Sequence, residues 1–126
     1  MDKKVTLKDF QTLDIRIGTV IKAEVPEWSH WVIKLKVDLG EEIGERIIFA
    51  GLLGFYEPKD LIDKQFPFIV NLEPKKMGPE GDYSQGMMLA GVEKLKKPVK
   101  VLDEESDERP VLLAPSEKVS NGTKVR

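Results

Sequence analysis

The sequence has no cysteine, which excludes disulfides, thiolate zinc sites and thiol nucleophiles. It has a single histidine, His30, set between Trp28 and Trp31 with no triad partner nearby, so no catalytic role is assigned to it. No Walker-type glycine loop and no metal-ligand cluster occurs, so neither catalysis nor a cofactor is expected. No apolar run approaches the roughly 18–20 residues of a membrane span. The opening MDKKVTLKDF lacks the apolar stretch of a secretion signal, which makes the cytoplasm the expected location. Positive charge is not in excess either. Twenty Lys and Arg face 22 Asp and Glu, a net charge of −2, so no global basic field advertises nucleic acid. What is there is an ordinary globular mixture: 126 residues, 40% hydrophobic and 33% charged. That is the length of one domain with room for a core.

The apolar pattern has a period of two over most of the chain. Thr6 stands three residues before Asp9, a capping-box start for a short helix over 7–12. In 13-LDIRIGTVIKAEV-25, Leu13, Ile15, Ile17, Thr19 and Ile21 share one face, with Val20 the exception and Gly18 marking a bulge or bend. In 32-VIKLKVDL-39, Ile33, Leu35 and Val37 oppose Lys34, Lys36 and Asp38. A turn bracketed by Gly40 and Gly44 leads to a third strand, 45-ERIIFAG-51. Short connections predict that these three strands are antiparallel neighbours. A short helix over 56–65 follows, with Pro58 at its first position and Leu61 and Ile62 as its contact face. Then come a strand, 66-FPFIVN-71, a loop, and a strand over 84–93. Three strands, a helix and two strands is the order of the OB-fold, an all-β five-stranded Greek-key barrel. The barrel is placed over about 13–93 of a single domain.

The rest, 94–126, is a C-terminal extension of different character. A basic run, 94-KLKKPVK-100, precedes an acidic one, 103-DEESDER-109. Either they pair as a hairpin with the acidic segment as its turn, or they are two solvated runs flanking a loop. The closing 115-PSEKVSNGTKVR-126 holds an Asn-Gly turn signal and room for one short strand.

Within an OB-fold the stretch 71-NLEPKKMGPEGDYSQGM-87 is the loop between the fourth and fifth strands, and 24-EVPEWSHW-31 joins the first and second. These loops, with the face of the second and third strands, form the usual oligonucleotide or oligosaccharide site. Trp28, Trp31 and Tyr83 offer stacking surfaces, and Lys34, Lys36, Lys75 and Lys76 offer ammonium groups for phosphates. Each has a plainer alternative. Rim packing is the commoner role for such tryptophans and core filling for Met77 and Met87, while for Lys34 and Lys36 a solvated strand face weighs evenly with a contact. The loop is not locally basic, since Glu73, Glu80 and Asp82 outnumber its lysines.

The block 71–87 resembles the signature of the tRNA-binding domain family: Asn-Leu-x-Pro-basic-Lys-Met, then Ser-x-Gly-Met. The stretches 9-DFQTLDIRIGTVIKAE-24, 35-LKVDLGEE-42, 49-FAGLLGFYEPKDLIDK-64 and 112-LLAPSEKVSNGTKVR-126 agree with it, so the similarity covers nearly the whole chain. The family includes the C-terminal appendage of methionyl-tRNA synthetases, free-standing tRNA-binding proteins and a chaperone-like secretion protein. The chain looks most like the stand-alone methionyl-tRNA synthetase beta-subunit type. The resemblance implies tRNA binding by overall shape, a homodimer built on the C-terminal extension, and a synthetase partner. It implies that Asn71, Lys75, Lys76, Met77, Ser84, Gln85 and Met87 line the RNA site; the strand pattern adds Lys34, Lys36 and Arg16. Three departures stand out. The segment 25-VPEWSHW-31 replaces the family's His-Pro-x-Ala-Asp-Lys-like loop, 78-GPEGDY-83 is longer than usual, and 93–110 is expanded. Two rival readings remain: a peptide-binding chaperone using the same groove, and a pure dimerisation module.

Overall fold

In a computed structural model, which describes residues 3–29 and 31–126, the alternating segments become strands. They are β1 (Ile15–Glu24), β2 (Ile33–Asp38) and β3 (Glu45–Ala50), consecutive and antiparallel as expected. A one-turn helix occupies the glycine-bracketed turn between β2 and β3. β4 (Gln65–Ile69) pairs with β1 on its other side, and the two-residue β7 (Met87–Met88) pairs with β4. The sheet order is therefore β3-β2-β1-β4-β7. The chain just before β7 reaches round to β3. The Gln85 N–H donates to Ile47 O at 2.8 Å, while Gln85 Oε1 and Ser84 Oγ accept the N–H groups of Ile47 and Phe49, each at 3.0 Å. One main-chain bond and two side-chain bonds thus replace those that a longer fifth strand would have made, and the OB barrel is nearly closed.

The core follows the alternation of β2. Ile33, Leu35 and Val37 are fully buried, packed with Leu39, Ile48, Leu61, Phe66 and Phe68. β4 is buried along its whole length, which explains why it reads as a continuous apolar run.

β1 departs from the expected face. Val20 is fully buried and Ile21 is 38% exposed. The register runs Val20↔Val37 and then Lys22↔Lys36, so Ile21 is the extra residue of a bulge. Gly18 lies in regular pairing. A Cβ there would meet Val37 and Leu39 side chains at 2.7 and 2.6 Å, so glycine is needed because the core is already filled. The inward parity of this strand is Gly18 and Val20, not Thr19 and Ile21.

The N-terminal helix spans Leu7–Phe10, with both capping-box bonds between Thr6 and Asp9 in place. The helix expected over 56–65 is a single 3₁₀ turn, Pro58–Asp60. It is started by Pro58, and of the expected contact pair only Leu61 is buried.

Beyond the barrel, β8 (Ala90–Val101) and β9 (Glu104–Leu112) form a separate two-stranded ribbon. Of the two readings of the charge runs the hairpin holds, but the acidic run is a strand rather than the turn. The turn is Leu102–Asp103, both at positive φ as a two-residue hairpin loop requires. Arg109 meets Glu93 at 2.6 Å and Lys94 meets Asp107 at 3.6 Å across the ribbon. The Asn121–Gly122 turn then brings Thr123 and Val125 against β1, where they bond to Ile17 and Ile15. No helix among the described residues is long and apolar enough to cross a membrane.

Candidate nucleic-acid interface

The stretch 71–87 contains a small β-hairpin, β5 (Lys75–Met77) paired with β6 (Asp82–Ser84). Its base is apolar. Met77 is buried with Val32 and Phe49, and Trp28 packs on Phe49 with ring centroids 5.8 Å apart. Gly78 turns the tip at φ +70°, so close to Trp28 that a Cβ would lie 2.3 Å from the indole. Trp28 and Met77 therefore hold the hairpin on the barrel. The departure at 25–31 and the lengthened tip at 78–83 fit one another.

Opposed residues in the ladder share a face, and successive residues alternate. Lys75 sits opposite Ser84, and Lys76 opposite Tyr83. The adjacent lysines therefore serve different faces. Lys75 lines a groove of about 520 Å³ together with Trp31, Leu72, Glu73 and Met87. Lys76 stands beside the half-exposed Tyr83 on the outer face. Neither lysine forms an ion pair among the described residues. Asp82, one of the acids of the long tip, meets Lys34 at 3.2 Å and so ties the hairpin to β2. Lys36 meets Glu45 at 3.3 Å. Lys22, Lys34 and Lys36 line one shallow concavity on the barrel wall.

Four of the candidate residues are hydrogen-bonded to the scaffold, Asn71 and Gln85 while exposed, Ser84 and Arg16 while buried. The Asn71 side chain accepts from the Asp14 N–H at 2.8 Å and donates to Thr12 O at 2.7 Å, pinning the entry to β1. Ser84 and Gln85 close the barrel against β3. Arg16 is 4% exposed and lies apart from the lysines. Its guanidinium donates to Asp14 at 2.6 Å, to Glu42 at 3.2 Å and to Gly122 O at 3.2 Å. These hydrogen bonds hold the Asp14 and Glu42 carboxyls below their ordinary range and raise the Arg16 value. Arg16, expected to line the RNA site, is thus buried against three partners of the fold. The strand pattern placed Arg16 outward; at the strand's end it turns into a carboxylate pair and a backbone carbonyl.

Leu72 of the groove and Lys22 of the barrel-wall concavity were not among the candidates. Leu72 is 40% exposed, and its only sequence signal is an apolar residue set between Asn71 and a proline. Lys22 joins Lys34 and Lys36 only because of the bulge at Ile21. The stacking alternative for the tryptophans divides: Trp28 packs, whereas Trp31 is 57% exposed. His30 lies outside the described residues.

The comparisons with known proteins agree with this architecture. Residues 15–124 match the family model described as "Putative tRNA binding domain". The chain is 40% identical over 119 residues to a methionine–tRNA ligase of Methanococcoides burtonii, covering 94% of this chain and 15% of that one. A methionine–tRNA ligase of Archaeoglobus fulgidus is 40% identical over 124 residues, covering 98% and 16%. The chain thus spans about one-sixth of the length of these relatives. Two of the solved structures that match end to end bear on the site. One is a MetRS-related protein from Pyrococcus horikoshii, with TM-score 0.80, 31% identity, and 98% and 99% of the two chains covered. The other is the chaperone CsaA from Bacillus anthracis, with TM-score 0.75, 34% identity, and 98% and 100% covered. With the family model spanning most of its length, this chain belongs to the tRNA-binding domain family.

Proposed function

We propose that this chain binds tRNA by shape, on the face that carries the β5–β6 hairpin, and catalyses no reaction of its own. The observation that carries the reading is the pair Lys75 and Lys76, presented on opposite faces of a hairpin that Trp28, Met77 and Asp82 fix to the barrel. Ammonium groups held on a rigid support meet phosphates whose spacing is set by RNA shape. Lys34 and Lys36 extend the track along β2. Met87 lines the groove, while Asn71, Ser84 and Gln85 serve the same site by holding its frame.

The chain acts as a homodimer through its C-terminal extension, in the cytoplasm, as an accessory subunit of a methionine–tRNA ligase. Its similarity to one segment of such ligases supports that partner. The mechanism is affinity: a modest RNA site joined to a synthetase, or doubled in a dimer, raises effective concentration. The test is gel retention of mixed tRNA with duplex DNA as competitor. Wild-type protein should hold tRNA through the excess of DNA, and Lys75→Glu with Lys76→Glu should lose it without changing the sedimentation of the dimer. Retention that survives both reversals would refute the site.

A second reading has its own support. The groove beside Lys75 presents exposed Trp31, Leu72 and Met87, and the fold matches that of a chaperone over its full length. An apolar peptide would fit such walls. In that case peptide, not tRNA, should be retained, and the lysine reversals should leave binding unchanged.

A further inference from the structure

Trp31 is the largest apolar side chain that this face leaves in water. An exposed indole forgoes the burial that tryptophan usually gains. Its backbone is nevertheless held firmly. The buried Ser29 hydroxyl accepts the N–H groups of Trp31 and Val32 at 3.1 and 2.9 Å, and Trp31 O accepts from Leu53 N–H at 3.3 Å. One edge of the ring lies over Gly51, where an added Cβ would be 3.5 Å away. The indole is therefore anchored at its root, supported on one side and open on the other.

The ring also divides two depressions of different charge. On one side is the groove lined by Leu72, Met87, Lys75 and Glu73. On the other, Trp31 adjoins Glu104 and Glu105 of β9. A polyanion is turned away from the second side and meets an ammonium group on the first. Few polar atoms in the groove are free to read a base edge. The Ser84 hydroxyl already accepts from Phe49 N–H and donates to Gly86 O. What the groove offers is a flat aromatic face, aliphatic walls, one cation and one carboxylate.

We infer that Trp31 is a stacking platform for one unpaired base of the bound RNA, held in this groove with Lys75 on the adjoining phosphate. This inference rests on the tRNA-binding reading and names the RNA feature that the site takes: a base outside the duplex stem, accepted with little regard to its identity. Stacking on an aromatic ring is tolerant of sequence because every base has a π-face.

The test combines affinity with the emission of the tryptophans. Mixed tRNA and an oligouridylate single strand are titrated into wild-type, Trp31→Phe and Trp31→Leu proteins, with an RNA duplex lacking unpaired bases as control. Wild-type emission should be quenched by tRNA and by the single strand but not by the duplex. Trp31→Phe, which keeps Trp28 as its one tryptophan, should bind tRNA within a few-fold of wild type with little quenching of tryptophan emission. Trp31→Leu should bind about tenfold or more weakly with an unchanged melting temperature, since the residue is outside the core. If Trp31→Leu binds tRNA like wild type while the lysine reversals abolish binding, the stacking role is wrong and the tRNA reading stands. If wild-type protein retains no tRNA, both fail. Quenching by an apolar peptide but not by RNA would give the groove to a peptide and overturn the inference.

Discussion

Arg16 illustrates how a charged residue in a strand serves the fold. Its guanidinium is buried, and its partners come from three places: Asp14 at the start of β1, Glu42 in the turn after β2, and Gly122 in the C-terminal turn. Because Arg16 stabilises the ionised carboxylates, Asp14 and Glu42 have depressed values in the folded state. A depressed carboxylate contributes stability that is present above its ordinary value and lost as pH falls through the folded value. Thermal unfolding should therefore show stability intact at neutral pH and falling below about pH 4, where ordinary carboxylates protonate. Arg16→Met should lower stability at pH 7 by about 2 kcal/mol in urea titration, the scale of losing hydrogen bonds to a charged group. It should also flatten the acid limb. An unchanged acid limb in the variant would show that other groups set it. Asn71 makes the complementary case. Asn71→Ala loses two backbone bonds and should lower stability by about 1 kcal/mol, while tRNA affinity measured well below the melting temperature stays within twofold. A tenfold loss of affinity in folded Asn71→Ala would mean that the amide also touches RNA.

At the scale of elements, the hairpin depends on a contact between two loops. Gly78 has a positive φ and lies against Trp28, so Gly78→Ala meets both backbone strain and an indole wedged under the tip. The expected result is a loss of about 1–2 kcal/mol together with weakened tRNA retention, because Lys75 and Lys76 move with the hairpin. Retention at wild-type strength would mean that the hairpin's position does not matter. The sequence makes the barrel strands legible because half-buried strands alternate, as Ile33, Leu35 and Val37 do against Lys34, Lys36 and Asp38. It does not show the bulge at Ile21, since one inserted residue inverts parity without altering composition. Nor does it show the β5–β6 pairing, whose three-residue strands are too short for a periodic pattern. The lysines of the site could be picked out from residue type and the family signature. Their division between two faces, and the structural duties of Asn71, Ser84 and Gln85, depend on distant partners: Ile47, Phe49 and the 12–14 backbone. Those partners lie some 35 residues or more away in sequence, beyond any local motif.

At the scale of the whole molecule, a net charge of −2 has to be reconciled with a polyanionic ligand. The acids are divided between the site and the rest of the surface, with Glu73 lining the groove itself. Glu104, Glu105, Asp107 and Glu108 lie on the β8–β9 ribbon, while Asp82 and Glu45 already neutralise Lys34 and Lys36. A lysine paired with a protein carboxylate gains less from a phosphate than one that meets only water. Lys75 and Lys76 should therefore contribute most of the electrostatic binding, and Lys34 and Lys36 a smaller part. With about three to four phosphates neutralised per chain, the logarithm of affinity should fall with the logarithm of salt with a slope of about −2 to −4. A strongly basic DNA-binding protein gives about −10. If one tRNA engages both protomers of a homodimer, the slope should roughly double, and sedimentation should show one tRNA for two chains. Lys75→Glu alone should then reduce the slope by close to one for each protomer engaged. A slope near zero would mean that apolar contacts in the groove dominate retention. A slope near −10 would mean that the RNA covers far more of the surface than the hairpin face.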